Sequence, residues 1–575
     1  MVTRRRIAFN SVLAVTGLAV LAIGVTLPGA MQWRLHLLTG LWLLSLLPRA
    51  LITARVVDAA RGIARLGLVV LLALGAVTLQ LVREQALQAN ATRARVTTLR
   101  QPAGDQPPDT ATLVRPADRT ALGSGRVWPV AAIAAVRGAI RDRNGVVLAE
   151  TVNGRRVYPF PDLGHITGFS SRLYGNSGIE SSQDEDLSGA RTLSPIALLE
   201  GRLLGTPFAA QPADVQLTID VQLQQVAQAA LGDRPGAVVL LDPRTGAILA
   251  LATYPRFDPN LLVLPERASE ADVAQAQAAW QELAARADGP LLNRATQGLY
   301  PPGSVIKTLT AAAALDSGLM NGPEAQVTCP ERLPTEAGAP PVVNAVENLS
   351  RRTGDPSDLR RVYAWSCNTA FAQIGLALGP ERFAAYAARF GLGMRDGTGA
   401  PALRDIPAEA GTIAGDMVFL QRPAALADTA FGQGQALVTP LDMAQMVAVA
   451  ANNGAMMRPY LVQEVRVGET VRFAAQPEAL GQVITSQAAA QLRAIMAASV
   501  ESGYASPAAL PGIQVGGKTG TAEAPGGPPH AWFVAIAPVE QPQFAIAVIV
   551  ERGGEGSRSA LPVARQVLAA ALGVQ

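Results

Sequence analysis

A chain of 575 residues is long enough for two or three domains with full cores. Its formal charge of +3 hides an asymmetry: residues 1–83 hold nine arginines against one acid, a net +8, which leaves 39 basic against 44 acidic residues, a net −5, for the rest. A large domain without basic surplus does not suit nucleic acid. The three histidines (His36, His165, His530), two cysteines and absence of an H-E-x-x-H pattern leave no zinc site, and no cofactor is expected.

Arg4-Arg5-Arg6 precede an apolar run from Ile7 to about Leu27, close to the ~20 residues that cross a bilayer. A second run covers Leu35 to Ala54, interrupted by Pro48 and Arg49, and a third covers Leu66 to Val82. Arg55, Arg61 and Arg65 fall between the second and third. Three spans across residues 1–83 would put both arginine clusters on the cytoplasmic side and all that follows outside. A single retained signal anchor gives the same final orientation.

Residues 84–136 are rich in Ala, Thr, Pro, Gln and Arg without a sustained apolar period, and read as an extracytoplasmic linker. Order resumes at Arg137, where Asn144-Gly145 between two β-prone runs signals a hairpin. Short strands and turns are expected to about Gly205, giving a small β-rich module over residues 137–220. The main domain then occupies residues 221–575.

Asp214 to Asp220 reads as a strand, with Asp220 able to cap a helix Val221–Leu231. Ala237–Leu241 and Ala247–Ala252 flank Asp242-Pro243-Arg244-Thr245-Gly246, the pattern of two buried strands in a hairpin. Helical stretches dominate from 270 to 460. Three more strands follow, Ile513–Glu523, Ala531–Ala537 and Gln543–Glu551, and a helix Ser559–Leu572 closes the chain. Strands at both ends with helices between imply an α/β (α+β) domain whose antiparallel sheet is covered by helices.

Within the helical region, Tyr300-Pro301-Pro302-Gly303-Ser304-Val305-Ile306-Lys307 is a Pro/Gly loop breaking into an apolar helix. Ser304 and Lys307 are three apart and share a helix face. A serine hydroxyl becomes a nucleophile when a neighbouring base takes its proton, and an amine one turn away can do so. Only two lysines, Lys307 and Lys518, occur among the 48 basic residues. Arginine cannot lose a proton in a protein, so a lysine retained here suits a base.

Three motifs stand in order: Ser304-Val305-Ile306-Lys307, Ser366-Cys367-Asn368 and Lys518-Thr519-Gly520. With Arg137–Ala149, Asn293–Lys307, Trp365–Phe371, Gly432-Gln433-Gly434 and Lys518–Glu523, they make residues 137–575 resemble a class B penicillin-binding protein, a membrane-anchored peptidoglycan D,D-transpeptidase. The match is to the smaller members with a short N-terminal module, although those usually carry one anchor. The resemblance implies the penicillin-binding transpeptidase fold, and an extracytoplasmic domain held at the cell membrane. Its expected partners are peptidoglycan stem peptides, β-lactams as covalent inhibitors, and a membrane glycan polymerase.

It also implies roles. Ser304 would attack the carbonyl between two terminal D-alanines, with Lys307 as general base. Ser366, held by Lys518, would relay the proton to the leaving amine. Asn368 would bind the peptide amide, while Thr519, Gly520 and Thr521 would line the substrate carboxylate site. Backbone N–H groups of Ser304 and Thr521 would form the oxyanion hole. A D,D-carboxypeptidase or β-lactamase would use the same acylation site with water as acceptor, and a non-enzymatic β-lactam sensor would also keep Ser304 and Lys307.

Gly512-Ile513-Gln514-Val515-Gly516-Gly517-Lys518-Thr519 fits the phosphate-loop pattern letter for letter. That loop must open a helix, and the following Gly520-Thr521-Ala522-Glu523-Ala524-Pro525-Gly526-Gly527 cannot. Pairing of Cys329 with Cys367, on the oxidising side of the membrane, remains open beside two free buried thiols.

Overall fold

The structure is a computed structural model describing residues 137–192, 211–395 and 401–574. The three candidate spans and the 84–136 linker lie outside the described residues. Among the described residues, no helix is long and apolar enough to cross a membrane.

The main domain is built on five strands: β1 (Gly236–Leu241), β2 (Ile248–Tyr254), β3 (Gly516–Ala522), β4 (His530–Ala537) and β5 (Phe544–Val550). All neighbours run antiparallel in the order β3-β4-β5-β1-β2. The two ends of the domain sequence thus meet where β5 pairs with β1. Both faces are buried, which explains apolar runs rather than polar alternation in β1, β4 and β5.

The two-residue period sorts these strands into two cores. Ala237, Val239, Trp532, Val534, Ala547 and Ile549 face one side, where α2 (Lys307–Asp316) and α4 (Pro440–Ala451) pack. Val238, Leu240, Phe533, Ala535, Ile546 and Val548 face α1 (Val221–Leu231) and α6 (Gly556–Leu572). α1 begins where its cap was expected, with Asp220 accepting from Gln222 N and Leu223 N.

Every residue of α2 from Lys307 to Leu315 is buried. Its four successive alanines, Ala311–Ala314, let neighbours approach closely on all sides. α3 (Asn368–Leu378) and α5 (Ser486–Ser502) are among them. A helix buried all round is a core element, and this one starts at the candidate base.

The N-terminal module differs from its expectation. A six-stranded sheet is present, ordered Thr470–Ala474, Val462–Val467, Asp214–Leu217, Ile140–Arg141, Val147–Val152, Arg155–Val157. Its first two strands come from the chain after residue 221, so the sheet runs across the expected 220/221 boundary. After Val157 the short strands continue only as the small antiparallel pair Ser170–Ser171 with Gly175–Asn176, and the segment otherwise forms one-turn helices, Gly164–Thr167, Gly178–Ser182 and Asp184–Leu187. Glu180 on the second is fully buried and takes Arg156 Nε at 2.6 Å, Arg137 Nε at 2.5 Å and Tyr158 OH at 3.1 Å. A buried carboxylate needs such partners, and this turn carries Glu180 to both arginines.

Candidate active site

Ser304 sits in the first turn of a short 3-10 helix, Gly303–Ile306, that runs directly into α2. Backbone N–H groups at such a start have no intrahelical acceptor. The loop before it is fixed at several points. Tyr300 exchanges both backbone hydrogen bonds with Val438 at 2.9 Å, and Trp532 Nε1 donates to Pro301 O at 2.9 Å. Tyr300 OH donates to Glu551 Oε1 at 2.7 Å, and the same oxygen accepts from Arg294 Nε at 2.7 Å.

Gly303 has φ +54°, and a Cβ there would lie 2.7 Å from Thr521 O. Gly432, at the C-terminal end of the helix Pro423–Phe431, presses on the same residue. A Cβ at 432 would come within 1.8 Å of Gly303 O. The nucleophile's turn is therefore wedged between β3 and Gly432 with no room for a side chain on either.

Lys307 Nζ reaches four oxygens: Ser304 Oγ at 3.0 Å, Ser366 O at 2.8 Å, Ser366 Oγ at 3.0 Å and Asn368 Oδ1 at 2.6 Å. Their chemistry is not equivalent. The Ser366 carbonyl can only accept. Asn368 Nδ2 donates to Val343 O at 3.0 Å, so its amide presents oxygen to the lysine. Two Lys307 hydrogens are thereby committed. In the neutral amine the remaining lone pair points at the serine hydroxyls.

Burial, and secondarily the charge of Lys518, hold the Lys307 amine well below the usual lysine range. Lys518 projects from β3, donating to Ser366 Oγ at 3.0 Å and Thr519 O at 2.9 Å. Burial lowers it to about 7.

Ser366 has φ +58°, rare for a residue with a side chain. It lies between the helix Leu359–Ala364 and α3, and the left-handed turn aims both its carbonyl and its hydroxyl at Lys307. Backbone strain of this kind persists only where surrounding contacts enforce it. One such contact is covalent: Cys367 is bonded to Cys329, with Cα atoms 6.3 Å apart.

The register of β3 with β4 sets its side chains. Lys518 and Gly520 lie level with Val534 and Trp532, on the α2 side. A Cβ at Gly520 would meet Val305 Cγ1 at 2.9 Å, so the position must stay bare. Thr519 and Thr521 share the other face, Thr519 nearly buried and Thr521 exposed. The structure thus gathers Ser304, Lys307, Ser366, Asn368 and Lys518 into one hydrogen-bonded cluster, with the two threonines beside it on the edge strand. Gly517-Lys518-Thr519 lies on a strand and opens no helix, as the phosphate-loop reading would need.

Neither described histidine belongs to the cluster. His165 is buried against Pro290 O at 2.9 Å and burial lowers it to about 4. His530 accepts from Arg552 N and is likewise lowered by burial. Among the described residues, no group of His, Cys, Asp and Glu could hold a metal. The residues that sequence reasoning missed are supports: Asn344, Gly432's contact, Trp532, Arg294 and Glu551. Their partners are distant in sequence, and no local pattern marks them.

A serine hydroxyl against a buried amine, with a second hydroxyl shared between two lysines, on a helix-covered antiparallel sheet, is the geometry a serine acyl-transfer enzyme needs. The sequence matches the penicillin binding protein transpeptidase domain over residues 236–569 and the penicillin binding protein A dimerisation domain over residues 137–204. The chain belongs to the penicillin-binding protein transpeptidase family. It is 37% identical over 439 residues to the peptidoglycan D,D-transpeptidase PbpA of Mycolicibacterium smegmatis, a match covering 72% of this chain and 84% of that one. To the peptidoglycan D,D-transpeptidase MrdA of Acinetobacter baumannii it is 27% identical, over 70% of this chain and 64% of that one. The crystal structure of PBPA from Mycobacterium tuberculosis superposes with TM-score 0.66 at 34% identity, covering 76% of this chain and 100% of that chain. Its penicillin G acyl-enzyme complex gives 0.65 at 33%, with 76% and 100% covered.

Proposed function

We infer that this chain is a serine D,D-transpeptidase that cross-links peptidoglycan stem peptides through an acyl-enzyme on Ser304 and is acylated by β-lactams at the same hydroxyl. The observation that carries the reading is the set of four oxygens around Lys307 Nζ, which leaves its lone pair to Ser304. The relatives' names and the acyl-enzyme complexes of the neighbouring structures support the substrate class.

Ser304 Oγ gives its proton to Lys307 Nζ as it bonds to the carbonyl carbon of the terminal D-Ala-D-Ala amide. A positioned base of this kind is worth about 10²–10⁴ in rate. The oxyanion would meet the N–H groups of Ser304 and Thr521. In an antiparallel strand a residue's N–H and C=O point to one side, and Thr521 O lies beside Gly303. The C–N bond then breaks. The departing amine takes a proton from Ser366 Oγ, which is 3.0 Å from both lysine nitrogens and can be resupplied from either. The amine of a second stem peptide attacks the ester by the reverse sequence. The substrate carboxylate would sit by Lys518, Thr519 and Thr521, and its charge would raise Lys518 from near 7 and keep it cationic.

Labelling the full-length protein with a fluorescent penicillin tests the reading. Wild type takes up one label and Ser304→Ala none; undiminished labelling of the variant would remove the assignment.

The same proposal has the described domain outside the cell membrane, where peptidoglycan lies, beside a glycan polymerase that supplies uncross-linked strands. The arginine clusters at 4–6 and 55–65 support three spans. A cysteine placed at Asp58 is then shielded from an impermeant external thiol reagent, whereas free labelling there would favour one anchor.

A further inference from the structure

Helix α3 begins at Asn368, so its N-cap position is Cys367. Cap positions favour Ser, Thr, Asp or Asn, because a side-chain oxygen can accept from the exposed N–H groups of the first turn. A disulfide sulfur is a weak substitute. Of the first-turn N–H groups, Cys367 Sγ takes that of Ala370 alone, at 3.4 Å, beside a contact with Thr369 Oγ1 at 3.3 Å. The two N–H groups ahead of it are satisfied from 24 residues upstream, where Asn344 Oδ1 accepts from Asn368 N at 2.9 Å and from Thr369 N at 3.3 Å. Both partners are donors, so only the oxygen of Asn344 can face them. Its Nδ2 then donates to Pro330 O at 3.1 Å, next to Cys329 of the disulfide.

The residue before it completes the arrangement. Val343, in the short hairpin Arg332–Leu333 with Val342–Val343, accepts from Asn368 Nδ2 at 3.0 Å. Asn368 is thus gripped at its backbone by Asn344 and at its amide nitrogen by Val343. What remains is the Oδ1 that takes a hydrogen from Lys307 at 2.6 Å.

We propose that Asn344 is a positioning residue for acylation: it caps α3 in place of Cys367, and so fixes the point at which Asn368 orients the Lys307 amine towards Ser304. The proposal rests on the reading of Lys307 as the base. It goes beyond the three motifs, since Asn344 belongs to none of them and touches Lys307 only through Asn368.

Acylation rates with a fluorescent penicillin, measured across pH on full-length wild type, Ser304→Ala, Asn344→Ala and Asn344→Asp, test it. Asn344→Ala slows acylation roughly tenfold, the scale of a lost cap. Asn344→Asp keeps an acceptor for both N–H groups, and a helix N-terminus tolerates its charge, so most of the maximal rate returns. Its carboxylate, one side chain removed from Lys307, favours the protonated amine. The pH of half-maximal acylation therefore moves upward in Asn344→Asp and not in Asn344→Ala. The new charge alone moves that midpoint, so the deciding readout is rescue: Asn344→Asp recovers most of the maximal acylation rate that Asn344→Ala loses. Acylation of Asn344→Ala within twofold of wild type, or a maximal rate of Asn344→Asp no better than that of Asn344→Ala, overturns the proposal. If Asn344→Ala does not fold, Asn344→Asp decides alone, and a maximal rate roughly tenfold or more below wild type overturns the proposal. A label on Ser304→Ala equal to wild type removes the functional reading and this proposal with it, whereas the Asn344 outcomes bear on the proposal only.

Discussion

Lys307 and Lys518 meet at one hydroxyl: Ser366 Oγ lies 3.0 Å from each amine nitrogen. They are the only lysines in a chain of 48 basic residues, and both are fully buried. An arginine at either position would keep a charge but could neither take a proton nor fit the same space. The roles nevertheless differ, since only Lys307 also touches Ser304. Lys307→Arg should slow acylation by at least the ~10²–10⁴ of a lost general base. Lys518→Arg should lose less, because charge near the carboxylate survives and only geometry changes. Penicillin acylation rates of the two variants check this, and equal rates would rule out Lys307 as the base.

The loop carrying Ser304 is tied to the end of the central strand β5 by Glu551, which holds both Tyr300 OH and Arg294 Nε. Tyr300→Phe removes one hydrogen bond to a charged group, a loss of about 1.5–3 kcal/mol. Glu551→Ala does more, because the nearly buried Arg294 guanidinium loses its counter-charge. Breaking a buried pair from one side costs about 3–5 kcal/mol. Denaturant unfolding should therefore rank Glu551→Ala as the less stable variant. The opposite order would show that Arg294 is satisfied by its carbonyl partners, Gly289 and Asp288, alone.

What the sequence disclosed follows from how local each signal was. The central strands are apolar runs buried on both faces, so β1, β4 and β5 stood out, and Asp220 marked the start of α1. The three motifs carried the residues of the cluster. The strand Thr470–Ala474 was missed because all five residues are exposed, which leaves no apolar period to read. The short helices after Val157 are single turns, held by Glu180 meeting arginines 24 and 43 residues away in sequence. Asn344 looks like any loop asparagine until α3 is laid beside it. Glu551 and Arg294 are 257 residues apart, beyond any periodicity argument.

Cys329 and Cys367 are joined across a sequence separation of 38 residues, a pairing that the sequence left open. Closing a loop of that length stabilises by roughly 3–4 kcal/mol in the chain-entropy model. Since Cys367 stands between Ser366 and Asn368, the bond also steadies the strained turn at Ser366. Thiol titration in denaturant without reductant should find no free thiol. Replacing Cys329 with Ser should lower the denaturation midpoint and slow acylation together. Two titratable thiols in the untreated protein would reject the bridge, and loss of stability without loss of rate would confine its role to folding.

The dependence of acylation on pH separates the two lysines without altering Lys307. On the acid side the rate should rise as Lys307 sheds its proton, since only the neutral amine can accept one from Ser304. On the alkaline side it should fall as Lys518 loses the charge that holds the ligand carboxylate, from about 7 in the free enzyme. Because the amines interact, the limbs report the pair and not isolated groups. Two substitutions disentangle them. Lys518→Arg does not titrate, so its alkaline limb should vanish while the acid limb stays. Lys518→Met removes the positive neighbour that helps to depress Lys307, so its acid limb should move to higher pH. The same depression has a signature in stability. Between about 7 and 10.4 the unfolded chain holds the Lys518 proton and the folded one does not, so stability rises with pH by up to about 1.4 kcal/mol per unit. That contribution should disappear in Lys518→Met. An alkaline limb that persists unchanged in Lys518→Arg would show that another group controls it and would detach Lys518 from carboxylate recognition.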